Sequence, residues 1–255
     1  MIGKRSAEAR STEAAQATEA AEAAQAMEAA GDYETLGRLL SSRYSCRGFL
    51  PEPVPREDIE RILAVAQRTA SWCNAQPWQV VVTSGDATER FRRRLLEGAR
   101  EPVEADKPDF AWPREYRDVY LQRRRECGFA LYHSVGVARG DREGGERQHL
   151  ENFRLFGAPH AAIVTCPESL GIYGAIDCGA FVSSFMLAAR SIGVASIAQA
   201  SLALRPGLVR EHFGLPPDRL VVCGISFGYE DPDHPANGFR TTRADLHDAA
   251  IFLES

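Results

Sequence analysis

Arginine and hydroxyl side chains alternate in the stretch SSRYSCRGF, residues 41–49, where Arg43, Ser45 and Arg47 stand two positions apart. In an extended segment, alternate residues project to the same face. Two guanidinium groups and a hydroxyl on one face suit a phosphate dianion, because arginine binds phosphate through short, often bidentate, charge-assisted hydrogen bonds. The same spacing also occurs on ordinary surfaces, so this motif alone does not establish a phosphate site.

A second basic element lies near the end of the chain, where FRTTR supplies Arg240 and Arg243 beyond the last strand-like segment. The usual motifs of metal and nucleotide chemistry (H-E-x-x-H, the Walker loop and G-x-G-x-x-G) do not occur, and the one G-x-S-x-G, at residues 224–228, lies inside an apolar strand-like run rather than at a strand-to-helix turn. The six histidines are isolated along the sequence. We therefore expect no catalytic triad and no metal site, and the candidate chemistry rests on the separated basic elements.

Two of the three tryptophans fall within TASWCNAQPWQVVVTSG, residues 69–85, between a helix-like and a strand-like segment. The Gln-Pro-Trp part is suited to starting a strand whether or not a ligand is bound. The part before it presents a serine, an indole, a thiol and an amide in a row. This stretch is either a tight structural turn or the wall of a site.

The elements that must position these residues alternate between helix and strand. Helical spacing of apolar residues predicts helices in YETLGRLLSSR, VPREDIERILAVAQRTA, ATERFRRRLLEGA, YGAIDCGAFVSSFMLAARSIG and PGLVREHFGLP. Short apolar runs predict strands in QVVVTSG, PHAAIVTCP, VASIAQASL and DRLVVCGISFGY. Strands separated by helices indicate a mostly buried sheet covered by helices.

The longest of these helices, residues 173–193, carries small residues along its length, which lets another helix approach closely. We expect it to be a core or subunit-contact helix that is too polar and interrupted to span a membrane. Residues 11–32 are almost entirely Ala, Glu, Gln and Thr, which predicts that residues 1–32 form a helical or disordered extension before a packed domain over residues 33–255. Residues 101–154, rich in aromatics and arginines, interrupt the strand pattern and form either a surface helix pair or a cover over a site.

The amino-acid composition limits the classes of protein to which this chain can belong. The 255 residues are 44% hydrophobic and 25% charged, as in ordinary globular chains. A net charge of −5 argues against a general binder of nucleic acid or of anionic membranes. The six cysteines are scattered without a C-x-x-C pair, which is typical of reduced thiols and predicts a cytoplasmic protein.

In combination, these motifs resemble the nitroreductase family of FMN-dependent oxidoreductases. The resemblance is carried by R-x-S-x-R-x-F at residues 43–49, by S-x-x-N-x-Q-P-W at residues 71–78, and by GISFGYEDPDHPANGFRTTR at residues 224–243. It leaves the Ala/Glu-rich start of the chain outside. It implies an α+β fold of three layers, in which a central, mostly antiparallel sheet is flanked by helices, and an intertwined homodimer.

The resemblance also implies how FMN is bound. The first motif and the C-terminal arginines would hold the phosphate, and the turn of the partner subunit would pack on the flavin ring across the dimer interface. A backbone amide of Gln199 or Ala200 would face the flavin N5 atom, and no side chain would be catalytic because the flavin performs the chemistry. The implied cofactor-binding residues are Arg43, Tyr44, Ser45, Arg47, Ser71, Trp72, Cys73, Asn74, Gln199, Ala200, Gly228, Arg240 and Arg243.

The implied activity is a ping-pong reaction in which NADPH or NADH gives a hydride to flavin N5. The electrons then pass to a nitroaromatic or quinone-like compound, and a nitro group is reduced to nitroso and hydroxylamine products. Phe110, Trp112, Tyr116 and Tyr120 are candidate contacts of the acceptor, with core packing as the alternative for each. Reductive dehalogenation and enone or quinone reduction on the same fold remain open, as does a flavin-free helical interaction protein.

Overall fold

The computed structural model describes residues 30–101 and 106–253. The chain divides into two units, with the boundary after Arg43. In the first unit, residues 30–42 are helical (α1), and the backbone N–H of Arg43 donates to the carbonyl oxygen of Leu39 at 3.0 Å. Residues 1–29 of the predicted extension lie outside the described residues, and the division at residue 32 stays a prediction.

The second unit is built on a four-stranded sheet in the order β1-β2-β4-β3, in which each neighbouring pair is antiparallel. Each strand lies in a segment whose apolar run predicts a strand. Central strand β2 is buried along nearly its whole length, since it has a neighbour on each side and packing on both faces. The strands are β1 (Gln79–Ser84), β2 (His160–Pro167), β3 (Ala195–Gln199) and β4 (Arg219–Gly228).

Helices pack on both faces of this sheet. Helix α2 begins after Pro55, carries acidic residues in its first turn, and buries Ile59 and Ile62 on one face, as its spacing predicts. The helices of this unit are α2 (Arg56–Ala66), α3 (Asp86–Gly98), α4 (Asp118–Ser134), α5 (Arg142–Leu150), α6 (Gly171–Ser191), α7 (Pro206–Phe213) and α8 (Leu246–Ala249).

The core forms two layers because successive residues of a strand point to opposite sides of the sheet. On one side Ile163 of β2 packs with Phe91 and Leu95 of α3. On the other side Val164 packs with Phe181 of α6. The three-layer α+β fold with an antiparallel sheet is thereby confirmed.

Helix α6 has one buried and one open face. With the turn before it, Glu168–Ser191, it is long and apolar enough to cross a membrane by length and composition, at a mean hydropathy of 1.5. Its composition therefore does not support the expectation that it is too polar to do so. In its most apolar window, 39% is buried within the chain, where Phe181 and Phe185 pack toward the sheet. The open face leaves Ile172 and Ile176 exposed by 70% and 59%.

The region between α3 and β2, called the excursion here (residues 101–154), is anchored at its start by two aspartates. The carboxylate of Asp106 accepts hydrogen bonds from the N–H groups of Gly207 and Leu208 at the start of α7, each at 3.0 Å. Asp109 pairs with Arg210 at 2.6 Å. Within the described residues, α4 has no buried position, so this helix lies on the outside of the protomer.

Candidate functional site

The two basic elements predicted from the sequence meet in the structure, although 190 residues separate Arg47 from Asn237 of the C-terminal loop. The backbone N–H of Arg47 donates to Oδ1 of Asn237 at 2.8 Å. Nδ2 of Asn237 donates to the carbonyl oxygens of Gly48 at 2.8 Å and Asp231 at 2.9 Å. Asn237 is buried, so one amide side chain closes the first motif onto the C-terminal loop.

The first motif is extended, as its alternation predicts, and runs beside the edge strand β3. Ser45 forms a parallel bridge with Ser196 of β3, and the N–H of Cys46 donates to the carbonyl oxygen of Ser196 at 3.2 Å. The Cys46 side chain is fully buried, and this burial raises the pKa of its thiol to about 11. Cys46 thus turns inward, while Ser45 and Arg47 on either side of it stay partly exposed.

The guanidinium of Arg47 is partly buried, and no carboxylate of the described residues pairs with it. Its Nη1 donates to the carbonyl oxygen of Ser45 at 3.2 Å, and its central carbon lies 5.7 Å from the centre of the Phe239 ring. Burial lowers the pKa of Arg47, with the thiols of Cys127 and Cys46 partly opposing that effect. A cation that is removed from water and has no acidic partner is costly, so this position fits an anionic ligand.

Arg240 and Arg243 lie on the loop that Asn237 holds against the first motif. The central carbon of the Arg240 guanidinium lies 3.6 Å from the centre of the Tyr44 ring, and its Nη1 donates to the carbonyl oxygen of Asn237 at 2.6 Å. The Tyr44 hydroxyl donates to Glu230 at 2.9 Å, and burial raises the pKa of that hydroxyl. Both arginines are exposed to solvent, and Arg240 is held by a ring and a carbonyl whereas Arg243 bonds only to its neighbours Thr241 and Thr242 among the described residues.

A cleft of about 900 Å³ opens between one face of α4 and the C-terminal segment. Arg240 and Arg243 line this cleft from the C-terminal side, and α4 contributes Gln122, Arg123 and Cys127. The volume falls within the range of small-molecule sites. The sequence predicts Arg240 and Arg243 as binding residues but does not predict the α4 residues of this cleft. Helix α4 has no sequence motif that distinguishes a ligand-binding face from a solvated one.

The tryptophan-containing turn folds as a short 3-10 helix, Trp72–Asn74, in an uncommon backbone conformation. Cys73, Asn74 and Gln76 have φ angles of 51°, 56° and 47°. A non-glycine residue in this left-handed region costs about 1–3 kcal/mol and persists only where the surroundings hold it. Such conformations concentrate at binding sites, which favours the reading of this turn as the wall of a site.

Hydrogen bonds hold the turn on its strand side. Oγ of Ser71 accepts from the N–H of Gln76 at 2.9 Å, and Nε2 of Gln76 donates to Oδ1 of Asn74 at 3.1 Å. Oε1 of Gln76 accepts from Nε2 of Gln67 at 3.1 Å, and Oε1 of Gln67 accepts from Nε1 of Trp78 at 2.8 Å. The chain of amides connects the turn to a tryptophan in the core.

Helix α6 holds the other side of the turn. Both carboxylate oxygens of Asp177 accept from the N–H of Trp72, at 3.3 and 3.2 Å. The ring of Tyr173 meets the indole edge-on, with ring centres 4.4 Å apart. The indole stays 58% exposed, and these three residues line a pocket of about 360 Å³ together with Leu170. No sequence motif singles out Asp177 or Tyr173, although a lone acid in an apolar helix is a signal that could have found the first.

Two other predicted site residues, Gln199 and Gly228, are buried. The Gln199 side chain is buried, where Nε2 donates to the carbonyl oxygen of Asn152 at 3.0 Å and Oε1 accepts from the Ser226 hydroxyl. The hydrogen bond that the sequence resemblance predicts at flavin N5 would therefore come from the backbone N–H of Gln199 or Ala200. A Cβ on Gly228 would come within 2.6 Å of Pro159, so close packing explains this glycine.

The predicted acceptor contacts divide into two kinds. Phe110 packs against the core on the α6 side of the sheet. Trp112, Tyr116 and Tyr120 are exposed on the excursion, and Arg124 lies over the Tyr116 ring at 5.1 Å. Contact of these four residues with an acceptor stays a prediction, as does the part assigned to Arg43, which lies in the first unit. No group of three or more His, Cys, Asp or Glu residues within 30–101 and 106–253 is arranged to hold a metal ion.

Known proteins resemble this chain both in sequence and in fold. A profile of the Nitroreductase family matches residues 40–229. The nitroreductase NfnB of Mycolicibacterium smegmatis is 35% identical over 218 residues, which are 84% of this chain and 91% of the relative. A 4-nitrobenzoate reductase of Nocardioides sp. is 33% identical over 228 residues, 86% of this chain and 90% of the relative. The crystal structure of the FMN-dependent NfnB from Mycobacterium smegmatis in complex with NADPH superposes with a TM-score of 0.82 at 33% identity, over 87% of this chain and 99% of that one.

Proposed function

The chain belongs to the nitroreductase family, and we propose on this basis that it is an FMN-dependent NAD(P)H oxidoreductase that reduces nitroaromatic compounds. The relatives described above cover most of this chain and most of their own length, and their names state nitroreductase activity. A quinone-like acceptor in the same pocket is included in the proposal. The structural observation that carries it is the partly buried Arg47, which has a hydrogen-bonded connection to the C-terminal arginine loop and no carboxylate beside it among the described residues.

The residues at this position fit the phosphate of FMN. A phosphate monoester carries a charge of about −2 at neutral pH. Arg47, Arg240 and Arg243 would surround it with guanidinium groups, and the Ser45 hydroxyl would donate a further hydrogen bond. Arg43 is included from the sequence resemblance. Because one half of this group comes from each end of the domain, neither half would hold the phosphate alone.

The chain's contribution to the reaction is binding and orientation. When bound, FMN supplies hydride acceptance and donation at its N5 atom, so the protein need not supply a catalytic acid or base. The turn formed by Ser71, Trp72, Cys73 and Asn74 would pack on the flavin ring as a stiff wall. The amide of Gln199 or Ala200 would donate a hydrogen bond at N5. NADPH or NADH and the nitroaromatic acceptor would then use the same space in turn.

We include a homodimer in the proposal, with each flavin site completed by the turn of the partner subunit. Two features favour it. The open face of α6 leaves Ile172 and Ile176 in solvent, and the small residues Gly179 and Ala180 on the same helix permit close approach. The Trp72 indole, at the edge of the same region, is also exposed in the single protomer. We place the enzyme in the cytoplasm, consistent with free thiols at all six cysteines.

The purified protein tests the proposal directly. It should be yellow, should show the visible absorbance of an oxidised flavin, and should release FMN on boiling. With NADPH or NADH it should reduce nitrobenzene and 4-nitrobenzoate to nitroso and hydroxylamine products. A colourless protein that FMN does not reconstitute would contradict the proposal. Turnover of halogenated acceptors without turnover of nitroaromatics would point instead to reductive dehalogenation.

A further inference from the structure

Helix α6 carries one charged side chain, Asp177, among the residues from Gly171 to Ala189. The helix is otherwise apolar or made of small residues, and Asp177 is partly exposed. Helix-dipole stabilisation does not explain a carboxylate here, because that effect is confined to the first turn and Asp177 lies in the second. The contact that the carboxylate makes is therefore the best guide to its function.

The contact is the first N–H of the turn that carries Trp72. Trp72 begins the 3-10 helix, and the first N–H groups of a helix have no partner within the helix itself. Ser71 stands at the capping position but makes no capping bond, because its hydroxyl accepts from Gln76 across the turn. Among the described residues, both hydrogen bonds of the Asp177 carboxylate go to the Trp72 amide. Asp177 thus caps this turn from a neighbouring helix.

Tyr173 adds a second contact one helical turn before Asp177. Its ring packs edge-on against the indole of Trp72, so backbone and side chain of the same residue are both held by α6. Cys73 and Asn74, the next two residues, both have positive φ. The contacts that α6 makes with Trp72 therefore lie directly before the strained residues Cys73 and Asn74. A small rotation of the backbone there would change the direction of the backbone groups that follow.

We propose that Asp177 is a positioning residue for the flavin-binding wall, an inference that rests on the proposed function. Asp177 holds the Trp72 amide, and thereby fixes the backbone of Cys73 and Asn74 in the conformation that meets the cofactor. The carboxylate acts as a hydrogen-bond acceptor through the turn and does not act through its charge. An amide oxygen at the same position can take over this function, whereas a side chain without an acceptor cannot.

The experiment compares the intact protein with the variants Asp177→Asn, Asp177→Ala and Asp177→Leu. FMN dissociation constants are measured by flavin fluorescence, the environment of the ring by visible circular dichroism, and turnover by kcat and KM for nitrobenzene with NADPH. Leucine has the same number of side-chain heavy atoms as aspartate and the same branch point at Cγ, and it suits the apolar helix, so it gives a second readout if the alanine variant fails to fold. Asp141→Ala is the matched control, because Asp141 also accepts a backbone N–H, that of Gly144 at 2.8 Å, but at α5.

We expect Asp177→Asn to bind FMN within about threefold of the unmodified protein and to keep its visible circular dichroism. Asp177→Ala and Asp177→Leu should bind FMN at least about tenfold more weakly, because the Trp72 amide loses its acceptor and the turn can leave the conformation that meets the cofactor, with an altered flavin signal. Asp141→Ala should match the unmodified protein.

Three results would overturn the inference: unchanged FMN binding in the alanine and leucine variants, an equal loss in the asparagine variant, or an equal loss in Asp141→Ala. If the unmodified protein itself fails to bind FMN, the proposed function falls, and this inference with it. If the unmodified protein binds FMN and the alanine and leucine variants bind it equally well, only the inference falls.

Discussion

The backbone N–H of Arg47 donates to the side-chain oxygen of Asn237 over 2.8 Å, and this bond joins the first basic motif to the C-terminal loop. The same amide then donates to Gly48 and Asp231, so both of its N–H donors and its oxygen are used on the two segments. The geometry of the proposed phosphate site therefore depends on a neutral side chain that does not itself need to touch the phosphate.

Replacing Asn237 with alanine should lower the free energy of unfolding by about 3 kcal/mol, because it leaves the N–H of Arg47 without its partner and removes one of the donors to the Gly48 carbonyl, which keeps the N–H of Asp231. Urea denaturation of the FMN-free protein measures this change. Asn237→Asp, which keeps the acceptor for Arg47 and loses the two donated bonds, should fall between the unmodified protein and the alanine variant. Equal stability of all three proteins would show that the loop is held by other contacts.

Removing the proposed phosphate contacts should weaken FMN binding with little effect on folding. Arg47→Ala and Arg243→Ala should each raise the FMN dissociation constant by about tenfold or more, since a hydrogen bond to a charged group contributes about 1.5–3 kcal/mol. The effect should shrink at high salt for the exposed Arg243. Arg56→Ala is the control, because Arg56 forms an exposed pair with Glu60 on α2. Unchanged FMN affinity in both site variants would place the phosphate elsewhere.

Stability should fall on acidification through His160. This histidine is buried, Nε2 accepts from the N–H of Val54 at 2.9 Å, and Nδ1 therefore carries the proton and faces the carbonyl oxygen of Thr83 at 3.1 Å. Burial lowers its pKa below the ordinary value of 6.5. Above that value both folded and unfolded chains hold a neutral ring. Below it the unfolded chain takes up the proton first, so the free energy of unfolding decreases as pH falls.

The variant His160→Gln tests this directly, because its amide oxygen can still accept from Val54 but does not titrate. Denaturation curves between about pH 7 and about pH 5 should be flatter for the variant than for the unmodified protein. Identical pH dependence would assign the effect to other groups, such as His212, whose pKa burial also lowers.

Glycine at position 48 is required by the loop that packs over it. A Cβ on Gly48 would overlap the ring of His234, on the segment whose residue Asp231 donates its N–H to the Gly48 carbonyl at 3.0 Å. Gly48→Ala should therefore destabilise the protein and loosen FMN. Adding His234→Gly removes the overlapping ring together with its Cβ, which would lie 2.4 Å from the new Cβ, and should restore part of the loss in thermal denaturation. Strictly additive losses in the double variant would mean that the glycine is needed for another reason.

A charge on the open face of α6 should separate the proposed dimer. Ile176→Arg is expected to give a monomer in analytical ultracentrifugation and to lose FMN, because the partner's turn would no longer complete the site. Val65→Arg is the matched control, since Val65 on α2 is 58% exposed and Ile176 is 59% exposed. A monomer that retains FMN fully would contradict the shared site, and a dimer that persists in Ile176→Arg would place the interface on another face.

Sequence patterns predicted the parts of this protein that depend on local regularity. The strands follow from short apolar runs, helices α1, α2, α3, α6 and α7 follow from period-3.6 spacing, and the extended first motif follows from the alternation of Arg43, Ser45 and Arg47. These signals lie within a few consecutive residues, so they are visible without knowledge of the fold.

Contacts between distant segments were not predictable in the same way. Asn237 lies in an ordinary Pro-Ala-Asn loop, and its three bonds become visible only when the loop meets residues 47 and 48. Asp177 is an isolated acid in an apolar helix, and only the fold brings its carboxylate to the Trp72 amide. The left-handed backbone of Cys73 and Gln76 was also hidden, because neither residue type favours it without the hydrogen bonds around the turn.

The separation between the first motif and Asn237 has a consequence for biosynthesis. A ribosome makes Arg47 early and Asn237 only after all four strands of the sheet. Domains fold largely as units, and contacts between distant segments form late. A nascent chain that has not yet reached Asn237 therefore has no complete cofactor cradle, and it should not hold flavin at that stage of synthesis.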